Sequence, residues 1–402
     1  MAKVKITGHA SGTGVVTVTA PNTSTDRTIT LPDATDTLIG TATSDALTTR
    51  INGAGGRKNM LYNGAMNVAQ RGTSFAAAAN GTFSTDRWKF ANSSIGVYTV
   101  TQDSTGATGF AKSLKIDCTT ADASPASADQ MYLRQSLEGQ DLQHLKKGTA
   151  SAESVTLSFW VKCNKTGNGQ VNLFDKDNSR IIGNTYTISV ADTWEQKTIT
   201  FAGDTTGAFG DDNGNSLQVE WWLDSGSNFN SGTVPTSWEA KADTDRGAGV
   251  TLDLADSTSN YLNITGVQLE LGSVATDFEH RSYGEELALC QRYYYLHATK
   301  EGGAHPIGSA AFQSTNFADF NLHFPTTMRT KPTLEYVSGT DYYTVYANDQ
   351  LDHFSDFTTR NTSPNAAQIY TNGGMGTGIV AGHAGIGYTR NDNAFMAFSA
   401  EL

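Results

Sequence analysis

The chain has 402 residues, of which 38% are hydrophobic, 17% charged and 10% aromatic, with 40 Gly against 8 Pro and a net charge of −12. That apolar share argues against a disordered chain, and the acidic balance without a run of Lys and Arg argues against nucleic acid as a direct partner. Three cysteines (Cys118, Cys163, Cys290) are too few for a disulfide scaffold and lack C-x-x-C spacing. No stretch of about 18 apolar residues offers a membrane span, and the first residues lack an apolar signal core, so synthesis in a cytoplasm without a standard export route is expected.

At the start of the chain, Val16, Val18 and Ala20 alternate with Thr17 and Thr19, and residues 28–31 repeat the pattern. Two such ribbons bury too little to stand alone and require another copy of the chain or a larger particle. Residues 44–53 predict a short helix, with Ser44 as its cap, Leu47 and Ile51 at i, i+4, and Gly53 at its end. Two turns become stable only by packing against symmetry mates. Residues 53–56 read as a hinge.

From Arg57 to about His280 the sequence predicts strand after strand. Val155, Leu157, Phe159 and Val161 alternate with polar neighbours and with Trp160; Leu217, Val219, Trp221 and Leu223 do the same around Trp222. Between Leu262 and Leu271 the apolar parity flips after Ile264, which predicts a β-bulge at Gly266. Many short alternating strands separated by turns predict an antiparallel jelly-roll sandwich. Residues 285–297 carry acidic groups early and space Leu289, Tyr293 and Leu296 as a helix does. A further β domain follows, with Phe317, Phe320, Leu322 and Phe324, then residues 333–337.

No G-x-S-x-G elbow, P-loop or H-E-x-x-H pattern is present, and the eight His are not at metal-ligand spacing, so neither enzyme nor cofactor is expected. Two Asp-rich turns, with Asp175 and Asp177 in one and Asp211 and Asp212 in the other, are weak calcium candidates, since any tight turn uses the same residues. Trp160 and Trp222 sit on the polar parity of their strands, which marks them for surface exposure and contact with sugars, or for burial under a neighbouring subunit. Tyr342, Tyr343, Tyr346, His353 and Phe354 lie in an aromatic, acidic stretch suited to a receptor or to an inter-subunit contact.

Residues 1–14 with 25–35 resemble the N-terminal attachment segment of fibre-like structural proteins of marine phages, including cyanophages and pelagiphages. Residues 59–72 and 85–90 resemble the opening of a jelly-roll module of phage tail fibres. Residues 135–139, 157–162, 267–272 and 278–294 resemble its later blocks, and 324–333 a segment of fibre C-terminal domains. The resemblance covers most of residues 1–335. It implies a homotrimer, attachment to other virion proteins through the N-terminus, and host recognition at the distal end.

The expected architecture is therefore all-β. It comprises an attachment segment with a helical neck (1–56), a carbohydrate-binding-like jelly roll (57–281), a connecting helix (282–298) and a β-sandwich tip (299–402). The expected function is that of a phage tail fibre, located in the virion and extracellular after lysis, whose distal domain meets a host glycan or protein. It would neither bind nucleic acid nor insert into a membrane. A head fibre or other appendage and a carbohydrate-binding surface protein are the alternatives. A polysaccharide depolymerase fits less well, because the stacked-rung period of a β-helix is absent.

Overall fold

Alternating apolar and polar residues become two antiparallel β-sandwiches in the computed structural model, which describes residues 57–299, 303–371 and 380–402. The ribbons expected at 16–31, the helix expected at 44–53 and the attachment segment as a whole lie outside the described residues.

The first sandwich is built from β1 (Ser74–Phe75), β2 (Thr82–Phe83), β3 (Lys89–Ser93), β4 (Val97–Asp103), β5 (Ser113–Thr120), β6 (Gln130–Glu138) and β7 (Val155–Cys163). It continues with β8 (Gly167–Asp175), β9 (Arg180–Ile188), β10 (Glu195–Phe201), β11 (Asn215–Ser225), β12 (Glu239–Ala240) and β13 (Tyr261–Leu271). One sheet runs β1-β4-β5-β13-β7-β10 and the other β12-β9-β8-β11-β6-β3-β2. This is the jelly-roll type of sandwich that the strand pattern predicts.

The two-residue period decides what lies between the sheets. Leu157, Phe159 and Val161 of β7 point inward, as do Val219, Trp221 and Leu223 of β11, all essentially without solvent exposure. Trp221 meets Trp88 edge to face at 5.4 Å and Phe159 at 5.8 Å, the offset that the ring quadrupoles favour. The bulge is where the parity flip predicts it: the β13–β7 register shifts between Thr265 and Gln268, and Gly266 has φ +61°. With the extra residue, Leu262 and Ile264 before it and Val267 and Leu269 after it all reach the core.

Between β11 and β13 the chain forms the short helix α1 (Ser227–Asn230), adds β12 to the edge of the second sheet, covers part of that sheet's outer face and then enters the first sheet as β13. After β13 comes α2 (Tyr283–Gln291), whose capping box joins Ser282 Oγ with Glu285 N and Glu285 Oε2 with Ser282 N. The helix expected to reach His297 stops at Gln291. Residues Tyr294–Thr299 instead form β14, paired with β23 (Phe395–Ser399). A run of three tyrosines suits a strand, and the ladder offered by β23 outweighs the helical spacing of Leu289, Tyr293 and Leu296.

The second sandwich adds β15 (Pro306–Phe312), β16 (Ala318–His323), β17 (Thr333–Tyr336), β18 (Tyr343–Ala347), β19 (Gln350–Phe354), β20 (Phe357–Thr362), β21 (Ala366–Thr371) and β22 (Ala384–Thr389). A three-stranded sheet, β14-β23-β17, packs on a seven-stranded one, β19-β18-β22-β15-β16-β21-β20. Their shared core contains Phe320, Val345, Ile369, Met396 and Phe398.

The two sandwiches share buried contacts. Tyr293, Leu289 and Leu402 pack on the first core. The Arg87 guanidinium lies 3.4 Å from the Tyr293 ring centre and pairs with Glu401. Arg292 grips buried Glu138 through two bonds of 2.7 and 2.6 Å.

Candidate functional site: an aromatic platform on the jelly roll

Both tryptophans that parity marks for the outside do face away from the core, with opposite fates. Trp222 is fully buried. Its ring stacks on Tyr132 at 4.7 Å, Phe229 of α1 lies 5.4 Å away, and the Arg246 guanidinium sits 4.7 Å above it. Glu220 locks this cover in place: it accepts bonds of 2.7 and 3.0 Å from Arg246 and one of 3.0 Å from Trp222 Nε1. The expectation of a surface-exposed Trp222 is therefore corrected, because the crossing segment 226–256 covers it.

Two distal candidates are corrected in the same way. Tyr343 and Phe354 are buried core residues with rings stacked at 5.6 Å, and the Tyr343 hydroxyl lies 2.8 Å from the carbonyls of Val337 and Phe395. Tyr342 is half-buried against the same core. His353 and Tyr346 lie on the outer face of the seven-stranded sheet. His353 Nδ1 is 2.9 Å from Thr344 Oγ1, and the Tyr346 hydroxyl donates to Asp349 at 3.0 Å. Tyr346 stands directly across from Leu351 on one neighbouring strand and Ile386 on the other. The three are 43%, 64% and 43% exposed, a row of large apolar side chains open to solvent.

Three of the four candidate aspartates in the Asp-rich turns already bind the protein's own groups. Asp175 is buried against the Lys147 ammonium, Asp177 accepts from Gly210 N at 2.9 Å, Asp212 accepts from Gly214 N at 2.8 Å, and Asp211 is exposed. Among the described residues no three His, Cys, Asp or Glu side chains are placed together to hold a metal ion.

Trp160 is half-exposed on the outer face of the first sheet, and the bulge at Gly266 organises what surrounds it. A Cβ at Gly266 would lie 2.6 Å from Phe110 Cζ and 3.0 Å from Trp160 Cδ1, so both rings lean over the missing side chain. Phe110 comes from the β4–β5 loop; Phe278 and His280 come from the segment after β13. Phe110 and Phe278 meet edge to face at 4.9 Å, Phe278 and His280 at 4.9 Å, and Phe110 and His280 at 5.2 Å. Trp160, Phe110 and Phe278 are half-exposed and His280 is exposed.

His280 also borders an open pocket of about 620 Å³ lined by Arg57, Glu279, Arg281, Glu285 and Thr326. Glu279 is already held there by Asn59 N at 2.7 Å and Arg281 Nη2 at 2.8 Å. On the same outer face the Lys162 ammonium lies 5.4 Å from the Trp194 ring centre and 5.7 Å from that of Tyr261. A rigid sheet carrying open ring faces beside charged and hydrogen-bonding groups can stack against a flat, hydroxylated ligand. Sequence reasoning names Trp160 and the bulge but misses Phe110, Phe278 and His280. Phe110 and His280 stand 170 positions apart with no local pattern to join them.

No protein-family model matches the chain, and no curated protein matches it in sequence. Solved structures match about half of it. The Bacteriophage CBA120 tailspike protein 4 enzymatically active domain shares 13% identity over 49% of this chain, with a TM-score of 0.27. The match spans 21% of that domain. The CBM22-2 xylan-binding domain from Paenibacillus barcinonensis shares 14% identity over 48% of this chain and 94% of its own, with a TM-score of 0.27. The family 11 carbohydrate-binding module from Clostridium thermocellum, solved with a mixed-linked tetrasaccharide, shares 10% identity over 52% of this chain and 97% of its own, with a TM-score of 0.25.

Proposed function

We propose that the protein is a non-catalytic fibre component of a phage particle that recognises a saccharide on the host surface through the Phe110–Trp160–Phe278–His280 platform. The observation that carries the reading is the platform itself: four rings gathered from three chain segments over the outer face of the first sheet, three half-exposed and one exposed. A sheet that buries its rings for stability alone would cover them, as the second sheet does with Trp222. The virion setting is supported by the resemblance of residues 1–335 to marine phage fibre proteins and by an N-terminus whose sequence offers no core of its own. The same N-terminus supports a homotrimer.

The test is a glycan array probed with the full chain, with light scattering on the same sample. Binding to a subset of glycans by a trimer is expected. A stable monomer that binds no glycan overturns the reading.

A second reading is favoured by a different observation, the exposed row Leu351–Tyr346–Ile386. It places the host contact on the second sandwich. Tyr346→Ser with Leu351→Ser then abolishes adsorption to host cells while leaving glycan-array binding intact.

A further inference from the structure

The outer face of the second sheet carries an unusual arrangement of charge next to the segment that covers Trp222. Lys89 of β3 stands directly opposite Arg134 of β6, both pointing away from the core. Like charges facing each other across strands are destabilising. No carboxylate among the described residues forms an ion pair with either. Glu220 of β11 is the next residue in the row, opposite Arg134, but both of its oxygens are taken by Arg246 and Trp222. Arg134 reaches sideways to Gln218 Oε1 at 3.5 Å, and its Nε is buried without a hydrogen-bond partner among the described residues.

Further along the same face, Lys176 lies 5.0 Å from the Phe174 ring centre, exposed and without an ion pair among the described residues. Lys241 flanks that ring at 5.6 Å and is matched by Asp243 at 2.7 Å. From Lys89 the face crosses β3, β6, β11 and β8, three strand spacings or about 14 Å, and Lys176, just past the end of β8, lies four residues or about 13 Å further along than the Asn172 that faces Glu220, roughly 20 Å from Lys89 in all. Three cations without an ion pair among the described residues therefore line one shelf on a chain whose net charge is −12. Burial and then the neighbouring Arg134 lower the Lys89 pKa, and Glu401, itself paired with Arg87, offsets them only in part.

We infer that this shelf, formed by Lys89, Arg134 and Lys176, binds an acidic polysaccharide whose carboxylates are spaced along the chain. The inference rests on the proposed role in saccharide recognition and adds a ligand class on a second face of the jelly roll. Charge complementarity selects the occupant. Three separated cations match a polymer with about one carboxylate per ring, while the acidic remainder of the surface repels a densely charged strand such as duplex DNA.

The experiment measures binding of the full chain to polygalacturonate and alginate, with methyl-esterified polygalacturonate and duplex DNA as comparisons. Expected are binding to at least one of the two uronate polymers that weakens with added salt, and weaker binding to the ester. The Lys89→Gln/Arg134→Gln variant should lose about tenfold in affinity with a melting temperature no lower than the parent's. The Trp160→Ala variant should bind the uronate polymer like the parent. The inference is overturned if neither uronate polymer binds at low salt, if the double variant binds as tightly as the parent, or if the ester or duplex DNA binds equally well. Loss of neutral-glycan binding in Trp160→Ala reports on the platform separately, so the two failures are distinguishable.

Discussion

The Lys147 ammonium lies 2.6 Å from Asp175 Oδ2, with both side chains buried in the jelly roll. Asp204 Oδ2 at 3.1 Å and the carbonyls of Thr206 and Gly207 at 2.9 and 2.7 Å complete an oxygen cage around it. A cation tethered to the chain thus fills the position beside Asp175 where the sequence suggested calcium. Removing it leaves a buried carboxylate without a counter-charge, so Lys147→Met should destabilise the fold by about 3–5 kcal/mol in chemical denaturation. Chelator should leave the melting temperature of the parent unchanged; a clear drop would mean that a metal ion shares the cage.

Trp160 and Trp222 share an orientation and differ in cover, so their truncations should separate stability from binding. Trp222→Ala empties a ring-sized space beneath segment 226–256 and should cost about 3–5 kcal/mol. Trp160→Ala should cost far less and abolish neutral-glycan binding. Equal stability losses in denaturant titration would contradict this division.

Gly266 links the bulge to the platform. Its φ of +61° disfavours any side chain, and a Cβ would run into Phe110 and Trp160. Gly266→Ala should therefore destabilise by about 2–5 kcal/mol and weaken glycan binding through displaced rings. Calorimetry and a binding isotherm on the same sample check both effects.

Asp224 should make stability depend on pH. Burial pushes its carboxyl up to about 6, with Asp253 adding to the shift and hydrogen bonds from the backbone N–H groups of Ala255 and Ser225 opposing it. In the unfolded chain it titrates near 3.8, so the folded state holds the proton more tightly. Its contribution is most favourable below the unfolded value, is lost as pH rises from about 4 to about 6, and stays lost above that. Asp224→Asn keeps an acceptor for Ala255 N and removes the charge. It should exceed the parent in stability by about 2–3 kcal/mol at pH 7 and lose that advantage near pH 4. A difference independent of pH would contradict the assignment.

Periodicity made much of the first sandwich legible. Parity along β7 and β11 separated Phe159 and Trp221, which face inward, from Trp160 and Trp222, and the broken parity of β13 located the bulge at Gly266. Parity gives the face of a sheet but not what lies upon it, so the cover formed by Arg246 and Phe229 over Trp222 had no local signal. The same limit explains the distal stretch. Tyr343 and Tyr346 lie three residues apart on one strand and therefore point to opposite faces, one into the core and one to solvent. The helix end was misplaced because the pairing of β14 with β23 joins residues about a hundred positions apart. The platform and the basic shelf are both assembled from distant segments, which spacing within a sequence does not encode.

The most direct measurement is a calorimetric titration of the full chain with the strongest uncharged ligand from the glycan array, run in parallel on Trp160→Ala and on Tyr346→Ser. Saturable binding by the parent and by Tyr346→Ser, with no heat from a folded Trp160→Ala, is the predicted result. Undiminished binding by Trp160→Ala would contradict the assignment of saccharide recognition to the platform.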